Sequence, residues 1–229
     1  MLSSMRRAAA RLAFALLLAP GAALAAQPAP TPSTAPGAPA APPVAMPKPF
    51  TDPDYVMGNA RAKVTVIEYA SASCPHCARF DAQVFPAFKA KYIDTGKVKY
   101  VFREFLTPPE EVAAAGFMLG RCAGQAHYFH VVEQVFQAQP EIYASNDPKS
   151  VFVRIAKDNG LDEAQLDACL TDQAGIEALN ARMKQAVDVQ KVASTPTFFV
   201  NGVKLDEHGR EPDLALFDAA LQPLLKKKR

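Results

Sequence analysis

Between Lys63 and Ala70 the chain reads Lys-Val-Thr-Val-Ile-Glu-Tyr-Ala, apolar or β-branched at both odd and even positions. A strand with one solvated face would alternate, so this run predicts a strand covered on both sides, as in an α/β layered fold. Ser71-Ala72-Ser73 ends it, and Cys74-Pro75-His76-Cys77 follows at once. Phe80, Val84 and Phe88 then recur at helical spacing, so the Cys-x-x-Cys run opens a helix, which Pro86 should kink. Val98 to Phe105 reads as a second strand.

Helical patterns then occupy some eighty residues. Thr107-Pro108-Pro109-Glu110 reads as a capping-box start for a helix running to about Cys122, and a second spans His127 to Gln137. A third runs from about Pro148 to Asn159 and stops at Gly160; a short one from Asp162 carries Leu166, Cys169 and Leu170; a longer one covers Ile176 to Val189. Strand character returns at Thr197-Phe198-Phe199-Val200, turns at Asn201-Gly202 and resumes at Val203-Lys204-Leu205. A last helix opens at Glu211-Pro212-Asp213 and packs Leu214, Phe217 and Leu221. A small mixed sheet with a helical insertion at about 107–191, after the second strand of its core, accounts for this order. No internal repeat and no phosphate-binding glycine loop interrupts it.

The N-terminus supplies a compartment. Arg6, Arg7 and Arg11 precede the apolar Leu12 to Leu18, and Pro20-Gly21 precedes Ala23-Leu24-Ala25. That order predicts a secretory signal peptide over 1–25, in preference to an uncleaved membrane anchor. Its removal lowers the formal charge from +2 to −1, so the basicity of the whole chain is no argument for nucleic acid. Residues 26–49 are dominated by Ala and Pro with few large side chains, as suits a semi-extended tether. The remainder, 50–229, is enough for one domain with a full core. The closing Lys226-Lys227-Lys228-Arg229 reads as a solvated helix end, a membrane-surface patch being the alternative.

The thiolate is the reactive form of cysteine, and the start of a helix favours negative charge through unpaired N–H groups and the dipole. Cys74 sits there, Pro75 takes the first helical position, and His76 lies between the two sulfurs. Cys74 is expected to be the nucleophile and Cys77 the resolving thiol. The competing reading is half of a zinc site, which needs two more ligands; Cys122 and Cys169 each stand alone, and His127 and His130 lack a paired cysteine. Glu68 shares strand parity with Val64 and Val66 and is the only acid of its strand. Buried, it could exchange a proton with Cys77; on a solvated edge it would be inert. Thr195-Pro196 puts a proline just before a central strand, where it fits only at a loop end or with a cis bond.

Cys-Pro-His-Cys after a strand bearing a Glu, a helical insertion, and a late Thr-Pro-Thr-Phe-Phe-Val-Asn-Gly together resemble the bacterial DsbA family over roughly Val56 to Leu225. The resemblance implies a periplasmic thiol oxidase with a thioredoxin fold. It works through Cys74 and Cys77 without metal or cofactor, taking reduced exported proteins as substrates. A substrate thiolate attacks Cys74 and the substrate leaves with a new disulfide. His76 stabilises the Cys74 thiolate, the Thr195-Pro196 loop faces Cys74 and pairs with extended substrate, and a DsbB-like membrane quinone reductase reoxidises the dithiol. A monomer and no nucleic-acid partner are expected. One departure stands out: the best-known oxidase of the family has Val where this chain has Thr195. That leaves an isomerase or reductase reading open, although those isomerases carry an N-terminal dimerisation domain that an Ala/Pro tether cannot form.

Pairing Cys74 with Cys77 leaves Cys122 and Cys169 for a structural disulfide, with two free buried thiols or a second relay dithiol as alternatives. From a different functional class, the two cysteines could be soft ligands of a metal-handling module, or the domain a chaperone indifferent to Cys74.

Overall fold

The structure, a computed structural model, describes residues 54–207 and 209–226. The signal-peptide and tether readings, and the basic tail beyond Lys226, lie outside them. The central strand is β2 (Val64–Ala70), paired in parallel with β3 (Val98–Glu104) and antiparallel with β4 (Thr197–Val200). The short β5 (Val203–Lys204) follows the Asn201-Gly202 turn and pairs with β4. Gly202 sits at φ 83° and Asn201 at 49°, the left-handed values that a tight hairpin turn demands and that this residue pair tolerates.

One strand escaped the sequence reading. Tyr55–Gly58 forms β1, antiparallel to β3, giving the sheet order β1-β3-β2-β4-β5. The insertion therefore follows the third strand of the sheet. Four residues ending in Gly carry too little pattern to announce a strand; β3 supplies the template and Tyr55 supplies the anchor, buried against the Tyr128 ring.

The proline expected to kink the first helix divides it. α1 (Pro75–Gln83) stops, and α2 (Phe85–Phe88) restarts with Pro86 in its first turn, where the missing N–H costs nothing. A π-helical turn, Lys89–Ile93, then brings Tyr92 and Ile93 into the core.

Five helices lie between β3 and β4: α3 (Glu110–Cys122), α4 (Tyr128–Ala144), α5 (Pro148–Asp158), α6 (Glu163–Leu170) and α7 (Gln173–Asp188). Two details depart from the sequence reading. Thr107 does not cap α3: Pro109 is the N-cap residue, and the Thr107 hydroxyl lies 3.0 Å from that of Ser73. α4 runs about two turns past the expected end at Gln137, through Pro140 to Ala144, because buried Gln139 and Ile142 tie its last turns down. The capping box at Asp162 is present, with both reciprocal bonds to Gln165. The last helix, α8 (Leu214–Lys226), buries Phe217 and Leu221 against the sheet side that carries Phe198.

A buried charge cluster fastens the insertion to the sheet. Glu104, at the end of β3, accepts from Arg121 Nε (2.6 Å) on α3, Arg182 Nη2 (2.5 Å) on α7 and the Tyr128 hydroxyl (3.0 Å) on α4. Glu104 and Arg121 are only 3% and 1% exposed, so these bonds are what make burying the charges tolerable.

Candidate active site

The end of β2 delivers the site. Ser71, Ala72, Ser73 and Cys74 are all buried, whereas Pro75 and His76 project to the surface and Cys77 turns back inside. Cys74 is the N-cap residue of α1 with extended backbone (φ −83°, ψ 119°), and Pro75 occupies the first turn. The Cys74 side chain makes no capping bond, so its sulfur stays available for chemistry.

Both cysteines are free thiols with opposite electrostatics. Cys74 is pulled down to about 5 from its ordinary 9.0, chiefly because the Cys77 thiol donates to it. Burial opposes this, and Thr195 and the N–H groups of Cys77 and His76 reinforce it. Cys77 is driven well above 9.0 by burial, then by the Cys74 thiolate and by Glu68. One sulfur is built to carry charge and the other to stay protonated.

The Thr195–Pro196 bond is cis, and the loop lies over Cys74, with the Thr195 carbonyl oxygen 3.3 Å from Sγ. The Thr195 hydroxyl is buried and makes no hydrogen bond to a described residue, and it lies near enough to the sulfur to help lower the Cys74 pKa. His76 requires a correction. Its ring does not turn to Cys74: Nδ1 pairs with Glu211, which also accepts from Arg79 Nη1 at 2.7 Å. An exposed imidazole finds a carboxylate on the neighbouring loop, and what residue 76 gives the thiolate is its backbone N–H.

Glu68 lies inside, 2% exposed, on the strand face it shares with Val64 and Val66. Burial pushes its pKa up to about 8, and the Tyr100 hydroxyl, which donates to Oε2, only partly offsets this. A cavity of about 500 Å³ reaches Glu68 between α1–α2, β3 and α4, lined also by Asp81, Phe85, Tyr100 and Glu133. Burial and the nearby Glu133 raise Asp81 to about 7. At neutral pH burial thus keeps Glu68 largely protonated, and the Cys77 thiol lies within reach of its charge.

The structure therefore brings together Cys74, Cys77, Glu68, Thr195 and Pro196, and leaves the His76 ring on the outer rim. Tyr100, Asp81 and Glu211 were not foreseen. Tyr100 could have been found only from the β2–β3 register, which sets it opposite Val66. Cys122 and Cys169 form a disulfide between α3 and α6, with Cα atoms 6.2 Å apart, in a separate cluster around Met118. Among the described residues no three His, Cys, Asp or Glu side chains are placed to hold a metal ion, and no helix is long and apolar enough to cross a membrane.

Comparison with known proteins agrees with the geometry. The thioredoxin family model matches residues 51–217. A Rickettsia typhi protein provisionally named a protein-disulfide oxidoreductase is 35% identical over 176 residues, or 76% of this chain and 64% of the relative. The chain thus spans just under two thirds of that relative's length. The crystal structure of Wolbachia pipientis alpha-DsbA1 superposes with a TM-score of 0.67 at 30% identity, covering 75% of this chain and 90% of that one. A protein-disulfide isomerase from Novosphingobium aromaticivorans shares the fold (TM-score 0.64) at 20% identity, covering 77% of this chain and 99% of that one.

Proposed function

Because the chain belongs to the thioredoxin family, and within it to the DsbA-type proteins, we propose that it is an exported thiol:disulfide oxidase that places disulfides in other proteins through Cys74 and Cys77. The observation that carries this reading is the split between the two sulfurs. A Cys74 thiolate stable at neutral pH makes the reduced dithiol comfortable, and a dithiol comfortable when reduced is an oxidant when its disulfide forms.

The chemistry balances on the chain's own residues. A substrate thiolate attacks Sγ of Cys74 in the Cys74–Cys77 disulfide, and the S–S electron pair leaves on Cys77. Cys77 holds charge poorly, so protonated Glu68 gives it a proton. A second substrate thiolate then attacks the substrate's own sulfur and expels Cys74 as a thiolate, a good leaving group because of its low pKa. Substrate has lost two electrons and the dithiol has gained them. Reoxidation reverses the proton: the Glu68 carboxylate takes it back from Cys77. A DsbB-like membrane quinone reductase suits that step, and reduced exported proteins suit the first. The Thr195–Pro196 loop over Cys74 is the surface on which an extended substrate pairs. The protein acts as a monomer in the periplasm, a location supported by the signal-like residues 1–25.

Thr195 was the sequence's opening for an isomerase or reductase. Its hydroxyl favours the Cys74 thiolate, which pushes the potential in the oxidising direction. The test is the reduction potential of the dithiol against glutathione, together with oxidative refolding of a reduced, unfolded substrate. A strongly oxidising potential and catalysed refolding are expected; a potential near that of thioredoxin would assign a reductase.

A further inference from the structure

The β2 ladder ends at Ala70, yet the next four residues are still buried, so their carbonyl groups need partners from outside the sheet. α4 supplies them. The Gln139 side-chain amide, 4% exposed, donates from Nε2 to the Ala72 carbonyl (2.8 Å) and to the Cys74 carbonyl (3.2 Å). Tyr143, four residues on and therefore on the same helix face, donates its hydroxyl to the Ser73 carbonyl between them. Three consecutive carbonyls leading into the nucleophile are held by two side chains of one helix.

We propose that Gln139 and Tyr143 are positioning residues for thiol exchange, holding the carbonyls of Ala72, Ser73 and Cys74 towards α4 and so fixing where the Cys74 sulfur sits at the start of α1. The inference rests on the reading of Cys74 as the nucleophile. Cys74 makes no side-chain cap; its backbone closes the turn, the N–H donating to the Ser71 carbonyl (2.9 Å) and the carbonyl accepting from the Ala78 N–H (3.1 Å), and α4 adds the side-chain hold. The peptide groups carrying these oxygens end in the N–H of Ser73, the N–H of Cys74 and the nitrogen of Pro75, so the bonds act on the placement of Cys74 itself, ahead of the His76 and Cys77 N–H groups that favour the thiolate. Released, a carbonyl could swing its negative end towards Sγ and oppose the charge. The inserted helix is in this way part of the tuning of the dithiol.

The test is the titration of Cys74 in the reduced full chain, read by thiolate absorbance and by alkylation rate at pH 4.5, where the thiolate fraction follows the pKa directly. Gln139→Met keeps the length and removes both donors; Tyr143→Phe removes one hydroxyl at a half-exposed site and leaves the ring. Each variant should raise the Cys74 midpoint by about half to one unit and slow alkylation by about 3- to 10-fold. Gln137→Met, on the exposed side of the same helix, should shift nothing. If Gln139→Met does not fold, Tyr143→Phe decides. Folded variants that titrate with the wild type, or a Gln137→Met that shifts equally, would overturn the proposal. A wild-type midpoint near 9 would instead sink the reading of Cys74 on which it rests.

Discussion

The reduced protein should resist urea better than the oxidised protein by a margin that widens with pH. In the unfolded chain Cys74 titrates at its ordinary 9.0, and in the folded chain at about 5. A group whose folded pKa is depressed stabilises the fold fully above the unfolded value, and the gain vanishes as pH falls through the folded one. Each pH unit inside that window is worth about 1.4 kcal/mol. At pH 7 two units of the window lie below, giving about 2.7 kcal/mol before screening. The sulfur is partly reached by solvent, so about 1–2 kcal/mol is the expected gain at pH 7. The oxidised form has no thiolate and lacks this contribution, whereas Asp81 and most other groups are common to both forms and largely cancel in the difference. The Cys74–Cys77 disulfide adds an offset through the unfolded chain, but one that does not vary with pH. The assay is equilibrium urea unfolding of both forms at several pH values from 5 to 8. Mild reductant should spare the buried Cys122–Cys169 bond, and mass measurement checks that it has. A difference that stays flat across this range would refute the assignment of the depressed thiol.

Three other perturbations follow from named contacts. Glu68→Gln removes the acid raised to about 8, so reoxidation should slow by about 100-fold and lose the increase in rate that the wild type shows as pH rises towards 8. Stopped-flow reoxidation against pH measures both. Glu104→Ala strips Arg121 and Arg182 of the carboxylate they share, and should cost about 3–5 kcal/mol in urea unfolding. Replacing Cys122 and Cys169 together by Ala opens a loop of 47 residues' separation and should cost roughly 4 kcal/mol, with the potential of the dithiol unchanged.

Much of the site was legible because its parts are local in sequence. Cys74, Pro75 and Cys77 declare a helix start, and Glu68 declares its face through Val64 and Val66, four and two residues before it. Thr195-Pro196 stands out as a proline before an apolar strand. What was hidden depends on partners far along the chain. The His76 ring would serve Cys74 in an isolated turn, but Glu211, 135 residues on, takes it. Thr107 has the pattern of a cap, but a buried serine just after β2, 34 residues back, competes for its hydroxyl. Gln139 sits in a helix that the pattern ends at Gln137, because Pro140 is a stop signal locally and tertiary contacts override it.

The Glu104 cluster also imposes an order of assembly. Its three partners lie 17, 24 and 78 residues downstream. A chain emerging from the ribosome, amino end first, exposes this carboxylate long before Arg182 exists to meet it. β2 likewise waits for β4, which starts at Thr197. Nascent chains of this sequence therefore have no early stopping point at which the sheet is complete, and the last step of closure belongs to the final quarter of the polypeptide.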